Sequence, residues 1–333
     1  MITKEKGMTF LKTQRKYAAI LGNLGNTKDR FCGGYKDNPD TMEMLRRASK
    51  IESVRGIELV GTWDVRRDNY CEVKRAFDSL GLSCVSIIPD LFADKLWGSG
   101  SIAAKDKSVR IKAMEYLRVM CGIALEMNCR IINIWPGQDG YDYPLQGNYI
   151  EERKHMTENI AKIAAEFPQL RFALEYKAKE PRTHSYLARM ADTLLVCLQT
   201  GMDNVGVTID TGHSFLGGEN IAEAVVLAKA AGDKLFHMHF NDNYRSWDDD
   251  MIVASIHTVE YIELIYWLDE CGYGGWFSMD QYPYREDAAG AISESILWLK
   301  KFDILVDENR EALSKYIAAG NAVATSQFLR SLI

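Results

Sequence analysis

A chain of 333 residues, 47% hydrophobic and 26% charged, carries enough apolar side chain for one large core. Its formal net charge of −6 does not favour nucleic acid, because a surface that tracks phosphates needs a basic stripe and the sequence shows none. No run of ~18 apolar residues offers to cross a membrane, and no apolar segment follows the basic stretch 1–16, so the chain reads as cytoplasmic, without leader or anchor. The seven cysteines stand singly with no CxxC pair, which predicts reduced thiols, most of them buried.

From the N-terminus onward, short β-branched or apolar runs alternate with longer stretches of helical period. Strands are predicted over 17–22, 56–61, 83–89, 130–135, 171–176, 205–210, 235–240 and 275–279. Helices are predicted over 41–49, 106–127, 151–166, 185–200, 221–231, 258–271 and 288–302. The first strand leads into Leu21-Gly22-Asn23-Leu24-Gly25-Asn26, which lacks the GxGxxG turn of a doubly wound dinucleotide-binding sheet. Eight strand-and-helix units instead predict a closed (β/α)₈ barrel over residues 1–303. The tail, 304–333, predicts extra C-terminal helices over 309–319 and 322–333. They have no strand to cover, and are read as an arm for a second subunit in a homodimer or homotetramer. The alternative is a helix folded back on its own barrel.

Chemistry in such a barrel gathers where strands end and βα loops begin. The last four strands end in Glu175, Asp210, His239 and Asp280, separated by 35, 29 and 41 residues. Singly, each is as readily a helix cap or an ion-pair partner. Four at consecutive strand ends predict a divalent cation, since anionic groups so close repel one another without one. Three carboxylates and one imidazole form a mainly oxygen site that suits Mn²⁺, with Mg²⁺ or Co²⁺ as alternatives, better than a structural zinc.

A second set adjoins it. His213 lies three residues past Asp210, and the run Trp247-Asp248-Asp249-Asp250 follows the seventh strand. Asp248 and Asp250, spaced i and i+2, would chelate a second cation with His213, giving one or two ions per subunit. His237, two before His239, faces the barrel interior as a deeper, hydrogen-bonded support. His155, His184 and His257 are assigned surface or packing roles. Lys177 contacts a substrate hydroxyl or forms a salt bridge to Glu175 or a nearby carboxylate.

These residues resemble the xylose isomerase-like TIM-barrel superfamily, and within it the L-rhamnose isomerase group. The resemblance is carried by Glu175-Tyr176-Lys177, Asp210-Thr211-Gly212-His213, His239-Phe240-Asn241-Asp242 and Asp248-Asp249-Asp250, followed by Ala254-Ser255-Ile256. Gly98-Ser99-Gly100-Ser101 and the Trp135 to Pro144 loop are similar too. The resemblance implies that Glu175, Asp210, His239 and Asp280 hold a structural metal while His213, Asp248 and Asp250 hold a catalytic one. It implies interconversion of an aldose and a ketose by a metal-assisted hydride shift between C1 and C2. Lys177, His213, Asp248, Asp250 and Asp280 are then the catalytic candidates. Trp63, Trp97, Trp135, Lys177 and Tyr282, with Arg182 behind them, are the candidates to meet the sugar. The chain is shorter than that group, and its apolar contacts to a 6-deoxy sugar have no match here.

A free monosaccharide is favoured over a sugar phosphate, because no basic cluster or Gly-rich phosphate loop marks the mouth. The alternative is a ketose 3-epimerase using the paired carboxylates Glu175 and Asp280, although such epimerases carry Glu at the eighth strand. An endonuclease-IV-like enzyme would need a histidine-rich zinc cluster and a basic surface. Six histidines and the acidic balance argue against it. A non-catalytic sugar-binding barrel leaves the full ligand set without a purpose.

Overall fold

A computed structural model of the chain describes residues 15–332. The basic stretch, up to residue 14, and the final residue of the tail lie outside the described residues. Among these, eight parallel strands close into a barrel: β1 (Lys16–Ile20), β2 (Val54–Val60), β3 (Ser83–Ile88), β4 (Ile131–Ile134), β5 (Arg171–Glu175), β6 (Val205–Asp210), β7 (Leu235–Phe240) and β8 (Trp276–Met279). Closure is made by β1, which pairs with β8 from Lys16↔Trp276 to Ala19↔Met279 and with β2 up to Ile20↔Glu58. A strand covered by helices outside and packed side chains inside is buried on both faces, and β6 is buried at every position. The predicted strands lie within two residues of those observed; β6 and β7 coincide with them.

The helices on the outside are α1 (Thr41–Ser49), α2 (Tyr70–Leu80), α3 (Lys107–Glu126), α4 (Tyr149–Glu166), α5 (Met190–Thr200), α6 (Thr211–Leu216), α7 (Ile221–Ala230), α8 (Thr258–Glu270), α9 (Ala288–Ala319) and α10 (Ala322–Leu332). Several of their starts are set by short polar side chains: Asp40 caps α1, Asp106 α3, Asn148 α4, Asn220 α7 and Asp287 α9. α5 begins five residues later than predicted because His184–Ser185 is drawn into an antiparallel ribbon with Gly140–Tyr141, which ties two mouth loops together.

The break predicted after residue 302 is absent. No glycine or proline stands between Phe302 and Asn309, so α9 continues for 32 residues, and the boundary expected at 303 falls inside it. Val306 and Leu313 are buried, and Arg310 pairs with Asp269 and with Glu270 at 2.8 Å. The first part of the tail therefore packs on its own barrel. α10 turns back so that Phe328 stacks on Tyr316 at 4.8 Å, and it buries no residue fully. All seven cysteines are free, but only Cys121, Cys129 and Cys197 are buried, which corrects the expectation for most of them. Among the described residues no helix is long and apolar enough to cross a membrane.

Candidate active site

Glu175 closes β5, Asp210 closes β6, His239 is the penultimate residue of β7 and Asp280 follows β8. The topology thus brings four residues, distant in the chain, to one rim. One ligand-type atom from each lies within 4.8 Å of the others. His239 Nδ1 stands 3.1 Å from Asp280 Oδ2, 3.4 Å from Glu175 Oε1 and 3.9 Å from Asp210 Oδ2. It is buried and, among the described residues, has no hydrogen-bond partner. A nitrogen lone pair facing three carboxylates, with nothing to bond, fits a divalent cation.

A layer behind these groups fixes their orientation. Glu58, on β2, is fully buried and accepts from His237 Nε2 at 2.9 Å and from His239 Nε2 at 3.3 Å, as well as from the hydroxyls of Ser86 and Ser278. Because Nε2 of His239 donates its hydrogen to Glu58, Nδ1 is left to present its lone pair to the rim. Burial opposes the charge on Glu58, but the two imidazoles hold its carboxyl well below the usual range. Asn133 donates to Glu175 Oε2 at 2.7 Å and accepts from Thr208 Oγ1 at 2.6 Å. Asn241 donates to Asp210 Oδ2 at 2.9 Å.

The electrostatics of the rim are frustrated. Burial, reinforced by Asp280, Asp248 and Glu175, pushes the Asp210 carboxyl up to about 7 against the pull of His213. Burial, together with Glu175, also raises Asp280, although His239 pulls it down. Glu175 goes the other way, since His239 and His213 overcome its burial. A bound cation relieves this mutual repulsion.

A second group shares Asp210. Ligand-type atoms of Asp210, His213 and Asp248 lie within 4.8 Å of one another. Asp210 caps α6 by accepting from the His213 backbone N–H at 2.8 Å, which turns the imidazole toward the mouth. His213 Nδ1 lies 3.2 Å from Glu175 Oε1, and Nε2 lies 3.1 Å from Asp248 Oδ2. The turn demands glycine at position 212, where a Cβ would come within 2.1 Å of Asn241 Oδ1. Asp248 stands on a loop closed at its base by Asp242 and Met251, whose backbones exchange hydrogen bonds of 3.1 and 2.8 Å. Lys177 Nζ reaches Asp248 Oδ2 at 2.7 Å and Glu180 Oε2 at 2.8 Å, so its salt bridge is to these and not to Glu175. Burial would lower Lys177, yet Asp248 and Glu180 hold it above its ordinary value. Asp250 takes a left-handed backbone, φ 48°, and its carboxyl is not among the grouped atoms. It lines the same cavity, where burial and the charges of Asp248 and Asp280 push it well up.

The cavity over these groups measures ≈ 180 Å³ and is walled by Trp63, Phe92, Trp135 and Tyr282. Trp63 is anchored through Nε1 to Asp90 at 2.8 Å, and its ring meets Phe92, which meets Trp135 at 4.7 Å. Trp97 is placed elsewhere. It ends a 3₁₀ turn capped by Asp94, and its ring is buried against Tyr116 away from the cavity. Arg182 pairs with Asp142 at 3.0 Å and joins mouth loops without lining the cavity. His257, held by Asp242 and stacked on Phe215 at 3.8 Å, and His184, stacked on Tyr141, pack as predicted.

Sequence reasoning missed Glu58 and Phe92, and it gave Asn133 and Asn241 no bracing role. Glu58 leaves a signal, a carboxylate inside the apolar run of β2, where an unpaired charge is not tolerated.

Residues 40–302 match the family described as xylose isomerase-like TIM barrel. The chain belongs to this family. Over 296 residues, 84% of this chain and 76% of the relative, it is 26% identical to a xylose isomerase of Thermus thermophilus. Over 189 residues, 55% of this chain and 61% of the relative, it is 26% identical to the uncharacterized protein MJ1311 of Methanocaldococcus jannaschii. Among solved structures, an L-ribulose 3-epimerase superposes with a TM-score of 0.69 at 15% identity, covering 90% of this chain and 98% of that one. A 3-keto-D-glucoside 4-epimerase from E. coli does so with a TM-score of 0.65 at 19% identity, covering 84% and 98%. At those identities the structures share the barrel fold with this family member. The family stands at the level of the xylose isomerase-like barrel; a closer tie to the L-rhamnose isomerase group rests on the motifs alone.

Proposed function

We propose that the chain is a metal-dependent aldose–ketose isomerase acting on a free monosaccharide by a C1–C2 hydride shift, of the L-rhamnose isomerase group by its motifs. The observation that carries this reading is the pair of adjoining cation-type groups that share Asp210, with Lys177 anchored beside them. Divalent cations, Mn²⁺ first by the donor chemistry, would be held by Glu175, Asp210, His239 and Asp280 and by His213, Asp248 and Asp250, and would supply Lewis acidity that polarises the sugar oxygens. Lys177, kept charged by Asp248 and seated 5.1 Å over the Trp135 ring, donates to a sugar oxygen. Asp248 and Asp250 face the cavity as the groups that take the proton from O2 and return it to O1 as the hydride passes from C2 to C1. Trp63, Phe92 and Trp135 exclude water from the reacting carbons.

The second reading is a ketose 3-epimerase with Glu175 and Asp280 as the proton-moving pair. It is favoured by their common place on the cavity wall and by the solved epimerases that share the fold. The two divide on one experiment. The metal-loaded protein is incubated with aldoses and ketoses in D₂O, and carbon-bound deuterium is followed. A hydride shift leaves the product unlabelled, whereas 3-epimerisation labels C3. Turnover of no sugar with Mn²⁺, Mg²⁺ or Co²⁺ removes both. We further propose that the protein is cytoplasmic and that α10 is the arm that meets a second subunit; light scattering that finds a monomer refutes the arm.

A further inference from the structure

The mouth holds a second, larger hollow beside the one that contains the reactive groups. It measures ≈ 680 Å³ against ≈ 180 Å³, and Asp248, Asp250 and Tyr282 are walls of both. Glu175, Lys177, His213 and Asp280 line the inner cavity and not the outer one. The outer walls come mainly from the loops that follow β1, β7 and β8, and each contributes aromatic rings: Phe31 from the first, Trp247 from the second, Tyr282 and Tyr284 from the third. Phe31 is 82% exposed and Trp247 47%. One exposed ring needs no explanation. Rings from three loops turned into one concavity that opens on a reactive site form a binding surface.

The two tyrosine rings are also held in place. Tyr282 and Tyr284 meet edge to face at 4.9 Å, and Tyr284 meets Tyr35 at 5.4 Å. Trp247 rides on the loop clamped by Asp242 and Met251, and Lys179 Nζ donates to Ser246 O beside it at 2.8 Å. Arg30 and Arg285 bring hydrogen-bond donors to the rim. Apolar ring faces set among charged donors match a sugar residue, which has a C–H face and a girdle of hydroxyls.

We propose that the outer hollow is a subsite for a second sugar residue, so that the substrate class is a reducing disaccharide or a similarly glycosylated sugar. This rests on the isomerase reading, and changes its substrate from a free monosaccharide to one that carries a glycosyl group. The reducing residue occupies the inner cavity, and the glycosyl residue lies past Tyr282 against Trp247 and Phe31. The glycosidic bond is untouched, and it joins the reducing residue at a carbon other than C1 or C2.

The test compares sugars that share a reducing residue on the full, metal-loaded chain: cellobiose, maltose and melibiose against glucose, and xylobiose against xylose. The expected result is a disaccharide whose kcat/KM exceeds that of its own monosaccharide by about tenfold, through KM, with the advantage erased in Trp247→Ala and in Phe31→Ala. Saturation-transfer NMR on the glycosyl protons reads binding independently. Monosaccharide turnover with no disaccharide preferred or bound overturns the subsite and leaves the isomerase standing. Turnover of no sugar at all removes the isomerase, and the NMR measurement still decides the subsite. Saturation of the glycosyl protons that is seen with the native chain and vanishes in both variants supports it. Glycosyl protons that stay unsaturated with the native chain overturn it.

Discussion

The two cation-type groups at the mouth are built by different means, although they share a residue. Glu175, Asp210, His239 and Asp280 stand at the ends of consecutive strands, braced from below by Glu58, Asn133 and Asn241. The second group adds His213 and Asp248, which depend on a six-residue helix and on a loop, and the brace on Asp248 is the buried ammonium of Lys177. A barrel rim fixes ligand directions through hydrogen-bonded backbone, whereas a loop fixes them through ion pairs that compete with any incoming cation. The first group is therefore expected to be preformed, and the second to be the place where charge rearranges.

The largest effect should come from the shared residue. Asp210→Asn is expected to cut turnover on the order of a thousandfold and to lower the melting temperature of the metal-loaded protein as well. Next comes the brace. Glu58→Gln should weaken cation binding by about 10–100-fold, read by calorimetric titration, with activity partly recovered at high metal. Glu58→Ala, which strands two buried imidazoles, should cost about 3–5 kcal/mol in urea unfolding. Unchanged metal affinity in Glu58→Gln would show that the brace is only structural. Asp248→Asn should cost activity on the order of a hundredfold while leaving the melting temperature close to wild type. Equal melting losses in the Asp210 and Asp248 variants would dissolve the contrast between rim and loop.

The smallest effect lies outside both groups and serves as their control. Asp64 is buried, accepts from the Val60 N–H at 2.8 Å and joins no cation-type group among the described residues. Burial pushes its carboxyl up to about 7. A carboxyl raised in the folded state contributes stability at acid pH that is lost as pH climbs through that value. The melting temperature of Asp64→Asn, relative to wild type, should therefore rise between pH 5 and pH 8. A constant difference across that range would contradict the buried, raised carboxyl.

What is legible in the sequence follows from how locally each feature is determined. β6 and β7 are readable because an apolar run stops at a polar ligand-type residue, and the same stop marks Asp210 and, one residue before the end, His239. Glu58 escapes such a reading because its partner His237 is 179 positions away and meets it only when the barrel closes. Trp63 and Trp135 reach the cavity and Trp97 does not, because the last residue of a capped turn points inward for reasons of packing that composition does not express. The continuity of α9 is hidden by a change in composition after Phe302, although nothing in its residues could stop a helix. Lys177 is recognisable as a cation near carboxylates, but its choice of Asp248 depends on where a loop folds.

Asp210 ends a strand, begins a helix and borders both groups of ligands. Such crowding of duties makes it a pivot that selection cannot adjust for one purpose without disturbing the others. Changes in the segment between Asn243 and Asp250, by contrast, would reach the group that contains Asp248 and spare the frame. Exchanging that segment alone would therefore test how far the chemistry of the mouth can be altered without touching the barrel.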